Sequence, residues 1–205
     1  MLHFAHLTRR ALFGAFASAA LLASAPAALA LSTSDAEGFV STVAGELQTL
    51  AAAKKGGAAG AAEFLALLER RASLSAVAKF AMGRSWREMS EAQQASYQDA
   101  FRGYISRTYQ KRFNEYSGEA VDVTGSVDAG RKGVLVKSLL KRPSSSDIAV
   151  EWLVSDRGGA TRVSDVIFEG VSLAITLREI FAGMLEKRGG DVDQFISDLN
   201  VADGA

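Results

Sequence analysis

The stretch Arg162 to Leu185, RVSDVIFEGVSLAITLREIFAGML, passes from a strand pattern to a helix pattern within a few residues. Val163, Val166, Ile167 and Phe168 form an apolar run rich in β-branched and aromatic side chains, which suit a pleated surface. Gly170 interrupts the run, and Ser172 is placed to cap a helix by accepting a bond from a first-turn N–H. Beyond it Leu173, Leu177, Ile180, Phe181, Met184 and Leu185 recur at i, i+4, i+7 and i+8, one apolar stripe along a helix. Such a stripe must be buried, and the strands that precede it are the available partner. The pattern points to an α+β fold in which helices pack over a curved antiparallel four-stranded sheet.

Outward from that junction, Ile148, Val150, Trp152 and Val154 alternate strictly with Ala149, Glu151, Leu153 and Ser155. Val134 with Val136, and Val121 with Val123, mark two earlier strands, and polar turns at Asp128 to Gly133, Pro143 to Asp147 and Asp156 to Gly159 join the four. Short connections of this kind make a meander, with one face toward the helices and the other toward water.

The residues before the sheet read as helices. Ser34 and Glu37 have capping-box spacing ahead of Phe39, Val43, Leu47 and Leu50. Gly56 to Ala62 reads as a mobile connection, Phe64, Leu65, Leu67 and Leu68 as a short second helix, and Ser73 as the cap of a third that Gly83 stops. Trp86, between Arg84 and Arg87, suits either a membrane interface or a plug between helices, and the plug is the simpler assignment. Ser90 and Gln93 open a long helix to about Tyr116 that carries all four tyrosines, Tyr97, Tyr104, Tyr109 and Tyr116. With Phe101, Ile105 and Phe113 these cover about half its circumference at roughly 100° per residue. Arg112 falls inside that apolar arc, where it suits a phosphate contact or, more simply, an arginine snorkelling near a helix C-terminus. After the Leu173 stripe, Gly189-Gly190 breaks the chain before a last helix marked by Val192, Phe195, Ile196 and Leu199.

Residues 1–30 read as an export signal: Arg9 and Arg10 precede an apolar, alanine-rich run, and Ala28-Leu29-Ala30 supplies a small-x-small cleavage site. The arginine pair suits twin-arginine export or general secretion. A membrane anchor is disfavoured by the alanines and Pro26. Removing 30 of 205 residues leaves 175, residues 31–205, enough for a single domain. Two of the 23 basic residues leave with the leader, so 21 face 23 acidic ones and the net charge is −2, which argues against a nucleic-acid partner. Both histidines, His3 and His6, leave as well, and the chain has no cysteine. Catalytic triads, imidazole general-base chemistry and nearly all zinc sites go with them. Few enzyme chemistries remain, and the simplest expectation is a soluble periplasmic protein without cofactor or metal.

Phe80-Ala81-Met82-Gly83-Arg84-Ser85-Trp86, Gln94 to Phe101, Tyr104-Ile105-Ser106-Arg107-Thr108-Tyr109, Asp165 to Leu173, and Arg178, Phe181 and Gly189-Gly190 follow one another in an order that resembles the MlaC family of periplasmic phospholipid-transport proteins. That resemblance implies a carrier that shuttles phospholipid between outer and inner membranes and supports outer-membrane lipid asymmetry. It also implies an inner-membrane ABC transporter complex with an MCE subunit and an outer-membrane lipoprotein complex as partners. A hopanoid-associated branch of the same family is an alternative for the cargo.

A lipid cavity between helices and sheet would be lined by Phe101, Tyr104, Ile105, Tyr109 and Phe113 of the tyrosine helix, Val134, Val136, Val150, Trp152, Val154, Val166 and Phe168 of the strands, and Leu173, Leu177 and Phe181 of the following helix. The same residues suit a filled core, and sequence does not separate the two. Two other classes stay open. One is a hydrolase built on carboxylates such as Asp165 and Glu169, and the other is an adaptor that binds protein segments in an apolar groove.

Overall fold

The structure, a computed structural model, describes residues 31–53, 57–114, 119–143 and 145–202. The export signal expected over 1–30 lies outside these, as do Tyr116 and the side chains of Tyr109, Arg112 and Phe113. Along the described chain run α1 (Thr33–Ala52), α2 (Gly57–Arg71), α3 (Leu74–Met82), α4 (Glu91–Asn114), β1 (Ala120–Asp128), β2 (Val134–Lys141), β3 (Ile148–Ser155), β4 (Arg162–Phe168), β5 (Val171–Ser172), α5 (Leu173–Lys187) and α6 (Val192–Val201). The strands lie side by side in chain order, each antiparallel to the next.

The expected meander of four is extended by β5. Glu169 and Gly170, with φ of 48° and 84°, form a two-residue turn in which both positions are left-handed, the geometry that matches the twist of paired strands. The chain therefore doubles back once more before α5 begins. Gly133 is required at the start of β2: its φ is 111°, and a Cβ there would stand 2.0 Å from the Val154 carbonyl oxygen.

Caps set most helix starts. Ser90 and Gln93 form the reciprocal box, Gln93 N–H donating to Ser90 Oγ at 3.2 Å and Ser90 N–H to Gln93 Oε1 at 3.0 Å. Ser172 accepts from Ile175 N–H at 3.2 Å and so opens α5. In α1 the cap is Ser32, not Ser34: Ser32 Oγ accepts from Asp35 N–H at 3.1 Å and donates to the Asp35 carboxylate at 2.6 Å. Asp35 fills the role expected of Glu37, which starts the helix two residues earlier. The connection expected over Gly56 to Ala62 is also helical from Gly57, because four alanines, the best helix formers, offset the two glycines among them.

Two separate apolar clusters hold these elements. In one, Ala36, Val40 and Val43 of α1 lie on Val134, Val136, Val150, Trp152, Val154 and Val163 of the sheet. The other is helical, built from Ala78 and Met82 of α3, Tyr97, Phe101, Tyr104 and Ile105 of α4, Leu177 and Phe181 of α5, and Phe195 and Leu199 of α6. Trp86 plugs the helical cluster, its ring 6.2 Å from Tyr97. The polar half of α4 is also in contact. Arg107 donates to the carbonyls of Leu199, at 2.7 Å, and Ala202, and this seats the end of α6. Arg162 does the same for α2, donating to Glu69 and Ala72 carbonyls and fastening that helix end to β4.

Candidate functional site

A domain of this size ordinarily has one contiguous core. Here a cavity of about 220 Å³ lies between the two clusters. The sheet-side wall is Val43 and Leu47 of α1 with Trp152, Val163, Val166 and Phe168. Facing it are Leu74 and Val77 of α3, Phe101 and Ile105 of α4, and Leu173, Ala174 and Leu177 of α5. Phe64, Leu67 and Leu68 of α2 close the remaining side. The lining is almost entirely carbon, so it can hold an alkyl group but offers few directed bonds.

Each wall traces to a local cause. On β3, strict alternation sends Val150, Trp152 and Val154 to the covered face. On β4 the register shifts between Leu153 and Val154, so Val163 and Val166, three apart, both face inward opposite Val154 and Trp152. Trp152 keeps its indole N–H satisfied by donating to Ser138 Oγ at 2.9 Å, and Ser138 donates in turn to the Val150 carbonyl at 2.9 Å. The one polar atom of that wall is thereby spent inside the sheet.

Polar side chains stand at the edges. Arg71 ends α2, its guanidinium paired with Glu46 of α1 and lying 5.8 Å over the Phe39 ring. The hydrogen bonds from Arg71 hold the Glu46 carboxyl below its usual range. Asp165 accepts from Val166 N–H at 2.9 Å, Ala174 N–H at 3.0 Å and the Ser172 hydroxyl at 2.5 Å. Its carboxylate is occupied in anchoring the start of α5, where negative charge meets the positive end of the helix dipole. Glu169 sits apart from it in the exposed β4–β5 turn. These two acids do not form a pair of the kind general acid–base chemistry needs. Among the described residues, no cluster of three or more His, Cys, Asp or Glu could hold a metal ion.

Of the residues expected to line a cavity, Phe101, Ile105, Trp152, Val166, Phe168, Leu173 and Leu177 do border this one. Tyr104 and Phe181 lie behind them, stacked edge-to-face with centroids 5.4 Å apart. Val134, Val136, Val150 and Val154 are buried against α1 in the sheet cluster. Tyr109 and Phe113 lie outside the described side chains. Missing from the expectation were Val43, Leu47 and the α2 residues Phe64, Leu67 and Leu68. Their apolar spacing was visible, but nothing in the spacing says which helix covers which part of the sheet.

A family model described as MlaC protein matches residues 40–201. The chain belongs to the MlaC family. Every residue that borders the cavity falls within that MlaC match. No curated protein matches the chain. Among solved structures, a phospholipid-binding protein from Ralstonia solanacearum, in complex with a phospholipid, is similar with a TM-score of 0.67 and 24% identity, over 80% of this chain and 96% of that one. The MlaC fold is thus shared along nearly the whole of the Ralstonia protein. Among the described residues, no helix is long and apolar enough to cross a membrane.

Proposed function

We propose that this MlaC protein is a periplasmic carrier that takes the acyl chains of a phospholipid into the cavity and shuttles the lipid between outer and inner membranes. The observation that carries the proposal is the apolar cavity separating two clusters, in a family whose structural relative from Ralstonia holds a phospholipid. It acts by binding, with no bond made or broken. Residues 1–30 direct export and are removed, and residues 31–205 form the carrier. The family's inner-membrane ABC transporter complex with its MCE subunit, and the outer-membrane lipoprotein complex, are the partners that give and receive the cargo.

Energetics favour such a carrier. Two acyl chains hold about 30 methylenes, and at roughly 0.8 kcal/mol each their exposure to water costs on the order of 25 kcal/mol. Unaided passage across an aqueous gap is negligible, so the tails must travel covered. A cavity of about 220 Å³ is smaller than the roughly 300–1,000 Å³ of pockets for drug-sized ligands, so loading two tails requires the walls to part. The seam between α1 with the sheet and the α3–α6 cluster is where apolar contacts are already interrupted, and the Asp165 bonds to the start of α5 act as the hinge about which the walls part.

Mild purification followed by organic extraction and mass spectrometry tests the proposal. Stoichiometric diacyl phospholipid supports it. Extracts holding only a polycyclic lipid would redirect the cargo to a hopanoid, and extracts without lipid would count against a carrier.

A further inference from the structure

Away from the cavity, the chain carries a surface to which lipid burial assigns no task. Lys79 and Phe80 stand near the end of α3, Arg84 and Arg87 flank Trp86 in the short turn that follows, and Arg178 reaches the same corner from α5. Arg178 places Cζ 5.4 Å from the Phe80 ring centroid, and a Cβ at Gly83 would stand 3.2 Å from its Nη2. The guanidinium is held between an aromatic ring and bare backbone. Lys79 Nζ lies 5.3 Å over the Trp86 ring.

Arg71, Arg102, Lys141 and Arg188 each pair with a carboxylate. Among the described residues, Lys79, Arg84, Arg87 and Arg178 pair with none. Glu88, Glu91 and Glu179 are exposed nearby in the chain, so four basic side chains stand against three acidic ones at this corner of a domain whose overall charge is −2.

The corner continues into exposed carbon. Phe80 is 43% exposed, Ile175 51% and Val171 61%. Ile175 and Arg178 lie one turn apart on α5, and Val171, just before that helix in β5, pairs with Phe168 of β4. Phe168 is half exposed and also borders the cavity. A basic corner carrying two aromatic rings therefore joins exposed apolar side chains that lead to the cavity rim.

We propose that this corner and the exposed apolar side chains beside it dock on an anionic phospholipid bilayer, bringing the cavity rim at Phe168 to the headgroups. A guanidinium held beside a ring and paired with no carboxylate has N–H groups to offer to two phosphate oxygens together. Lysine and arginine near an anionic leaflet are drawn to its surface, and exposed apolar side chains settle among the headgroups. A bilayer presents phosphates and an apolar boundary together and so takes both the basic corner and the exposed carbon, which a merely acidic protein surface does not. This inference goes beyond the carrier proposal, because the surface would engage a bilayer whether or not the cavity is filled.

Co-sedimentation of the purified protein with phosphatidylcholine vesicles, and with vesicles of phosphatidylcholine mixed with phosphatidylglycerol, tests it. The protein is expected to partition onto the mixed vesicles and to be released by salt. The variant K79E/R84E/R87E, changed only at exposed side chains, is expected to bind them at least about 100-fold more weakly, at roughly a factor of five or more per basic residue removed. Ile175→Asp is expected to weaken binding at the same ionic strength. Equal binding to both vesicle types, or undiminished binding by the triple variant, overturns the inference. Lipid extraction reads the cavity separately: a wild-type protein that holds no lipid yet binds anionic vesicles leaves the docking surface standing and removes the carrier.

Discussion

The indole of Trp152 on β3 donates its N–H to Ser138 Oγ on β2 at 2.9 Å, inside the sheet that forms one wall of the cavity. Both side chains are buried, Ser138 at 3% exposure. Ser138→Ala would leave a buried donor without a partner, at about 1–3 kcal/mol, which lowers Tm by roughly 3–10 °C. Trp152→Phe removes the donor itself. In a double-mutant cycle followed by thermal denaturation, Ser138→Ala is expected to cost much less in the Trp152→Phe background. Additive costs would mean the bond contributes nothing.

Val136 and Phe168 were both expected beside the cavity, but they differ in surroundings. Val136 is fully buried between β2 and α1, whereas Phe168 is 43% exposed at the cavity rim. Val136→Glu is expected to unfold the domain, since a charge in a packed cluster costs more than about 4 kcal/mol. Phe168→Asp is expected to fold with a Tm within a few degrees of wild type and to retain much less lipid after purification. Circular dichroism melts and extraction of the same preparations check both.

Glu46 and Arg71 tie α1 to the end of α2. The Glu46 carboxyl is held below its ordinary 4.5 chiefly by the Arg71 hydrogen bond. A lowered folded value means the contribution is present above about 4.5 and lost as pH falls through the folded value. Both side chains are about one-third exposed, at 30% and 33%, so solvent screening limits the pair to about 0.5–1 kcal/mol. Glu46→Gln should therefore melt slightly below wild type at neutral pH, and the two melting curves should converge in acid. A constant gap down to the lowest pH would contradict this.

Tyr97 donates to the Ala78 carbonyl at 2.8 Å in the middle of the helical cluster, and burial raises its hydroxyl far above the ordinary 10.0. Because the folded value is raised, its contribution is full below pH 10 and is lost as pH rises from there toward the folded value. Tyr97→Phe should cost about 0.5–1.5 kcal/mol at neutral pH yet lose less stability than wild type above about pH 10. Denaturant midpoints across that range decide it. Tyr104, raised by the same cause, keeps the variant from being wholly insensitive.

Much of this architecture can be read from local pattern. Alternation along Ile148 to Ser155 and the Leu173 stripe specify elements by period alone, and the Ser90–Gln93 box marks a boundary with its own hydrogen bonds. Other features depend on competition or on tertiary placement. Ser32 and Ser34 both fit a capping pattern, and only the position of Asp35 selects Ser32. Gly57 to Ala62 joins α2 because alanine outweighs glycine there. A period of two tells which face of β2 and β3 is covered, but not that α1 covers Val136 while α2, α3 and α4 leave room beside Trp152. The register shift on β4, which turns Val163 and Val166 to one side, has no sequence mark of its own.

If the space between the two clusters is left for acyl chains, filling it with a side chain should shut them out. Val77 borders the cavity from α3, and a larger side chain there would occupy the space instead of displacing packed neighbours. Native mass spectrometry of wild type and Val77→Trp, purified side by side, is the measurement. Wild type should carry the added mass of one diacyl phospholipid, while the variant should carry none and melt no lower than delipidated wild type. Lipid mass retained undiminished by Val77→Trp would contradict this. So would a variant destabilised by the roughly 1–3 kcal/mol typical of overpacking a filled core.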